Sequence, residues 1–269
     1  MYRRWLVPVA GLALLTASLA VAGPTAATAG SRAHEVPDVV ARGAFRPGGL
    51  FHSAPGTRPF TVGGHTIAYS TNWSGYAVTG GTFTTASASW VQSPITCSGG
   101  DGQTDMSPWI GIDGYRTSTV EQTGSSGDCN NGTPDYYAWY EMYPRGTIMI
   151  HHTVMPGDHF TATVTHAGGT SYTLTLADIT EGWTNMVTKS IKAQDSSAEA
   201  VMEMAARHLT QFSPDKFTAF TVDGKPIGSY TDSPYKIERM EIRVKGTVCD
   251  STSSLGAGAN FKVTWRAAC

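Results

Sequence analysis

Between Phe160 and Leu176 apolar and polar residues alternate with a period of two. Phe160, Ala162 and Val164 interleave with Thr161, Thr163 and Thr165. Gly168-Gly169 follows, and then Tyr172, Leu174 and Leu176 interleave with Thr173 and Thr175. This period puts the apolar side chains on one face of an extended strand, and a glycine pair between two such runs reads as a hairpin. The pattern returns at Met240, Ile242 and Val244, at Phe261, Val263 and Trp265, and from Phe217 to Val222 before an Asp223-Gly224 turn. Many short strands separated by turn signals indicate an all-β sandwich or barrel. Composition agrees. Charged residues are only 15% of the 269, against 30 Gly, 11 Tyr and 7 Trp, which suits an exported all-β protein better than a helical one. One stretch resists. Ser196 to Leu209 reads SSAEAVMEMAARHL; it pairs Ser196 with Glu199 as in a capping box, and local propensity predicts a helix.

The N-terminus suggests a compartment. Arg3 and Arg4 precede an apolar stretch, Leu6 to Ala22, interrupted by Pro8, Gly11, Thr16 and Ser18, and Ala27-Thr28-Ala29 is a small-x-small cleavage site. This pattern predicts a secretory signal peptide over 1–29. The run is too short and broken for a membrane anchor. Residues 30–68 have four prolines, little periodicity, and four arginines against one glutamate and one aspartate. From Ser70 onward there are 13 lysines and arginines against 19 aspartates and glutamates. A basic leader on an acidic domain suggests a propeptide over 30–68, held partly by charge, ahead of a domain over 69–269; composition alone fits a disordered linker equally well.

Four cysteines remain after cleavage: Cys97, Cys129, Cys249 and Cys269. There is no CxxC, and an even count in an exported chain favours disulfides over zinc. Of the three pairings, Cys97–Cys129 and Cys249–Cys269 are preferred, because each brackets neighbouring strand-like segments.

Several constellations are absent from the sequence: HExxH, GxSxG and the phosphate-binding loop. His151 and His152 are adjacent, so on a strand they face opposite ways and cannot readily share a metal. No basic cluster suggests nucleic acid, and the acidic balance argues against it. The informative stretch runs from Trp109 to Pro144. By strand parity Trp109, Gly111 and Asp113 share a face, Val120 and Gln122 share one with Glu121 opposite, and Trp139, Glu141 and Tyr143 share one. If the registers agree, one sheet surface presents Trp, Gln and Glu together. A glutamine has no acid–base chemistry, but it can donate to a developing oxyanion. A carboxylate would have to handle the protons. Two other readings fit such a surface. One is a carbohydrate-binding sandwich with an aromatic platform. The other is a glycoside hydrolase using Glu141 with Glu121 or Glu203, which needs the two carboxylates about 5–9 Å apart on one face.

Taken singly, Gln122 reads as a core amide, Glu203 as a solvated helix face, and the aromatics as core. Their order changes this. NWSGY at 72–76, WIGIDG at 109–114, EQTG at 121–124, AWYEMYP at 138–144 and SAEAVME at 197–203 together resemble the eqolisin family of glutamic peptidases, over about 130 residues. The resemblance implies a sandwich of two bent antiparallel sheets, concanavalin-like, with a concave substrate cleft. It implies a secreted acid endopeptidase made as a preproprotein, with no metal, cofactor or covalent intermediate. By motif position Gln122 and Glu203 match the catalytic dyad. Trp109 matches a cleft-lining residue, Glu141 a supporting one, and Asp113 a carboxylate behind the site; Trp73 and Tyr143 are expected to line or support the cleft. Segment 197–203 would then be a strand. Polypeptides are the expected substrates, the chain's own propeptide the expected inhibitor, and a monomer the expected state. One departure stands out: Ala200 occupies a position where family members carry a bulky aromatic.

Overall fold

The computed structural model describes residues 48–62, 65–98, 102–206 and 208–269. The expected signal peptide and residues 30–47 of the leader lie outside the described residues. In chain order the strands are β1 (Phe60–Val62), β2 (His65–Ser70), β3 (Trp73–Thr79), β4 (Thr85–Val91), β5 (Ile95–Thr96), β6 (Gln103–Asp113) and β7 (Val120–Asn130). Then follow β8 (Thr133–Tyr143), β9 (Ile148–Ile150), β10 (His159–Gly168), β11 (Ser171–Asp178), β12 (Trp183–Ser190), β13 (Ser197–Glu203) and β14 (Gln211–Phe212). The last are β15 (Asp215–Val222), β16 (Lys225–Pro226), β17 (Lys236–Val244), β18 (Thr247–Val248), β19 (Asp250–Thr252) and β20 (Phe261–Trp265).

Two large sheets contain nearly all of them. The first has the order β1-β2-β17-β3-β13-β6-β7-β8-β9, with β18 on β17. The second has the order β12-β11-β10-β4-β15-β20-β19, with β16 on β15. Neighbours pair antiparallel except β2, which lies parallel to β17. The 160–176 hairpin forms as read, pairing Phe160 with Asp178 through Val164 with Leu174. Its apolar residues face the first sheet, where Phe160, Ala162, Val164, Tyr172, Leu174 and Leu176 join one inter-sheet core with Ile110, Ile112, Tyr140, Met142 and Met202. β6 and β7 are buried along nearly their whole length on both faces. A second core therefore exists on the outer face of the first sheet, built from Trp73, Trp109, Val120, Tyr137, Trp139 and Val201.

Both preferred disulfides form. Cys97 and Cys129 have Cα atoms 5.5 Å apart, and Cys249 and Cys269 5.7 Å. Each could stabilise the fold by about 2–4 kcal/mol.

The predicted helix over 196–209 is not there. Ser197–Glu203 is a central strand between β3 and β6, fully buried. Two flanking ladders satisfy both edges of its backbone, and this outweighs an intrinsic preference of at most about 0.7 kcal/mol per residue. β2 runs across the expected leader boundary, since Ala68 and Tyr69 are consecutive in it. Residues 48–62 and 65–68 are thus built onto the domain. Hydrogen bonds and apolar packing hold them; among the described residues no ion pair joins them to it. No described helix is long and apolar enough to cross a membrane.

Candidate active site

The outer face of the first sheet is organised in rows across β3, β13, β6, β7 and β8. One row runs Ala77, Glu199, Gly111, Gln122, Glu141. The next runs Gly75, Val201, Trp109, Gly124, Trp139. In the third, Trp73, Glu203 and Ser107 are paired neighbours, and so are Ser126 and Tyr137, with a Ser107–Ser126 hydroxyl hydrogen bond closing the gap. The parity read from sequence holds, and the registers agree. Gln122 and Glu203 lie on one face, on either side of Trp109. Gly111 and Gly124 make way for Trp109: a Cβ at Gly124 would lie 2.5 Å from Trp109 Cβ, and one at Gly111 3.1 Å from its ring.

Glu203 Oε2 accepts from the Trp109 indole N–H at 2.9 Å and from the Gly48 backbone N–H at 2.8 Å. Burial pushes its carboxyl up to about 8, against the opposing pull of those two donors. Trp73 packs edge-on to Trp109, with ring centroids 4.9 Å apart. Its indole N–H is buried without a hydrogen bond of normal length, although it lies near enough to favour the charged form of Glu203. Gln122 Nε2 donates to Glu141 Oε2 at 2.9 Å, and Thr147 donates to Glu141 Oε1 at 3.2 Å. Gln122 Oε1 is buried with no hydrogen-bond partner. Gly48 sits between the two groups. A Cβ there would collide with Glu141 Oε2 and lie 2.6 Å from Gln122 Nε2, and its φ of +93° is one that L side chains rarely adopt.

The strand carrying Glu203 is pinned at both ends by β6. Asp113 accepts from the backbone N–H groups of Gln194 (2.9 Å), Asp195 (2.7 Å) and Ser196 (2.9 Å) just before β13. Asp105 accepts from Ala205 (2.7 Å) and Ala206 (2.6 Å) just after it. Asp113 is thus tied to the turn that leads into β13. Asp105 was not read from sequence, although its parity with Trp109 and Asp113 on one strand is a usable signal. Asn72 was also missed. Its side chain donates to Leu50 O at 2.9 Å and accepts from His52 N at 3.0 Å.

Tyr143 is half-buried beside the second core. Glu121 faces away from Gln122 and is fully buried, its carboxyl pushed up to about 8 by burial and by the nearby Asp113. That orientation removes it from a carboxylate pair with Glu141 in the cleft. Ala200 points into the inter-sheet core, not the cleft. His151 and His152 are exposed. Among the described residues no group of three His, Cys, Asp or Glu side chains is placed to share a metal ion.

The first sheet of the sandwich thus carries an acid, Glu203, and an amide, Gln122, on one aromatic-lined face. Residues 71–265 match the Peptidase A4 family. The chain is 28% identical over 213 residues to aspergillopepsin-2 of Aspergillus niger, covering 70% of this chain and 76% of the relative. In structure it resembles scytalido-glutamic peptidase solved with a transition-state analogue inhibitor (TM-score 0.62, 23% identity, 73% of this chain and 98% of that one). It also resembles aspergilloglutamic peptidase from Aspergillus niger (TM-score 0.50, 27% identity, 60% of this chain and 99% of that one). The chain belongs to the Peptidase A4 family, the eqolisins, and is a peptide hydrolase.

Proposed function

We propose that the protein is a secreted acid endopeptidase in which Glu203 and Gln122 form the catalytic dyad. One observation supports this most. Two groups from β13 and β7, 81 residues apart in sequence, flank the same backbone position, that of Gly48, whose nitrogen donates to Glu203. In this reading ionised Glu203 takes a proton from water as the water oxygen attacks the scissile carbonyl carbon. The Gln122 N–H donates to the oxyanion that forms. The C–N bond then breaks, and Glu203 returns the proton to the leaving nitrogen. The Trp109 N–H holds Glu203 in place and favours its charge, while Glu141 and Thr147 orient the Gln122 amide. Trp73 and Tyr143 border the bound peptide.

The leader is read as the propeptide of an inhibited precursor. While residues 48–51 cover Glu203, burial keeps its carboxyl largely protonated in acid, and a protonated carboxyl cannot act as the base. Uncovering it admits water and returns it toward the ordinary carboxylate range. The leader pattern at 1–29 and the two disulfides support export.

The test is digestion of a denatured protein from about pH 2 to 7 by the chain expressed from Gly30 and acidified, beside Glu203→Gln and Gln122→Ala. A chelator and a serine-directed reagent go in parallel. Acid activity that survives both reagents and disappears in each variant is expected. A variant with normal activity would remove its residue from the dyad. A mature secreted protein still beginning near Gly30 would remove the propeptide.

A further inference from the structure

We infer that residues 48–51 are seated in the cleft as a peptide on the leaving-group side of the dyad, with Gly48-Gly49 filling the reaction space and Phe51 as the anchor. This rests on the Glu203/Gln122 reading and assigns that site a resident occupant from its own chain.

The Gly48 nitrogen occupies the place where a leaving amine would take its proton, 2.8 Å from Glu203 Oε2. Its α-carbon lies against Gln122 and Glu141, and a Cβ added to Gly49 would be 3.4 Å from Glu203 Oε1. The first residues of a substrate on the leaving-group side, and the water beside Glu203, need that same space. Glycine is the residue type that fits, because any side chain at 48 would meet the Gln122 amide and the Glu141 carboxylate. From there the segment is gripped like a bound strand. Leu50 O accepts from the Asn72 side chain at 2.9 Å, the Phe51 N–H donates to Gly114 O at 3.1 Å, and the His52 N–H donates to Asn72 Oδ1 at 3.0 Å. The Phe51 ring sits 4.5 Å from the Tyr115 ring and 6.0 Å from that of Trp73, nearly fully buried. Main-chain hydrogen bonds with one apolar side chain in a pocket are the usual terms of peptide recognition in extended form. The hairpin β1–β2 then ties the same segment to the sheet through β17, so release requires both grips to open.

The experiment uses the intact chain from Gly30, its mass verified, as wild type, Phe51→Ala and Gly48→Ala. Amide hydrogen exchange over 48–54 and the initial rate on an internally quenched peptide in acid are both read. Wild type is expected to protect this stretch and to show a lag before activity. Phe51→Ala and Gly48→Ala are expected to exchange it about tenfold faster and to shorten the lag, with the same final rate once the leader is removed. Unprotected amides over 48–54 in wild type, or variants that change neither exchange nor lag, would overturn the inference while leaving the peptidase intact. If every chain stays inactive even without its leader, the dyad reading fails, and the exchange data alone decide whether the segment is held.

Discussion

Gln122 and Glu141 are direct cross-strand partners on β7 and β8, and the Gln122 amide nitrogen donates to Glu141 Oε2 at 2.9 Å. An ionised carboxylate makes that contact unambiguous, because in that form it only accepts. It fixes the amide with its nitrogen on the Glu141 side, one N–H bound and the second free for an incoming oxyanion. Glu141→Gln replaces the acceptor with a group that can either donate or accept, so the Gln122 amide loses its fixed orientation. The expected result is a fall in kcat of about 10- to 100-fold with little change in KM, smaller than the loss from removing an oxyanion donor outright. Steady-state kinetics on a peptide substrate distinguish this from misfolding, which would lower the active fraction and leave kcat per active site unchanged.

The β6 carboxylates that bracket β13 give a second prediction. Asp113 satisfies three backbone N–H groups before the strand, and Asp105 satisfies two after it. Asp113→Ala leaves those donors buried or forces the 194–196 turn to open, at a cost of about 2–4 kcal/mol. Asp105→Ala acts at the end nearest Glu203, so it should lower kcat as well as stability. Urea unfolding with activity measured on the folded fraction separates the two effects. Equal kcat in wild type and Asp105→Ala would limit Asp105 to a structural role.

These anchors also explain what the sequence could and could not reveal. The alternation at 160–176 is a local signal, and so is the shared face of Trp109 with Asp113 and of Trp139 with Glu141, because a strand's parity depends only on its own residues. Register is not local. That Gln122 stands opposite both Gly111 and Glu141 follows from pairing across turns of different length. Ser197–Glu203 is the sharpest case. Its composition favours helix, and the strand exists because β3, β6, Asp113 and Asp105 surround it. The resemblance to the eqolisins supplied the strand that propensity would have denied. Gly48 and Asn72 carried no pattern of their own. One lies in a proline- and glycine-rich leader, and the other is one polar residue within NWSGY. Their roles appear once the chain folds back on itself.

Stability should fall as pH rises. Burial pushes Asp105, Asp215 and Asp250 up to about 7 and Asp128 up to about 8, whereas in the unfolded chain such groups titrate near about 4. Below about 4 both states are protonated and the full stability is present. Between about 4 and 8 the unfolded chain releases protons that the folded chain keeps, so the unfolded state gains. Above that window both are ionised and no further loss comes from these groups. Urea midpoints are expected to drop steadily from pH 4 to pH 8, by the equivalent of a few kcal/mol, on the order of one such group's linkage or more. Asp250→Asn keeps the buried shape and cannot ionise, so its decline should be shallower. A midpoint that rises across this window would show that these carboxylates are ionised in the folded protein.

The seating of Phe51 makes a prediction about the matured enzyme. If the Gly48 nitrogen marks the leaving amine, Phe51 is the fourth residue on the leaving-group side, and its pocket of Tyr115 and Trp73 becomes vacant when the leader departs. A substrate placing a large apolar side chain there recovers the burial that Phe51 gave up, about 1.5–3 kcal/mol for a fully buried ring. Part of that is lost to ordering a flexible peptide. Matched quenched peptides with Phe or Ser at that one position should therefore differ about tenfold in kcat/KM, chiefly through KM, because the contact lies far from the reacting carbonyl and exists in ground and transition states alike. Tyr115→Ala should erase the preference while leaving kcat on the Ser peptide unchanged. Equal kcat/KM for the two peptides would mean that substrates leave the sheet before reaching this pocket.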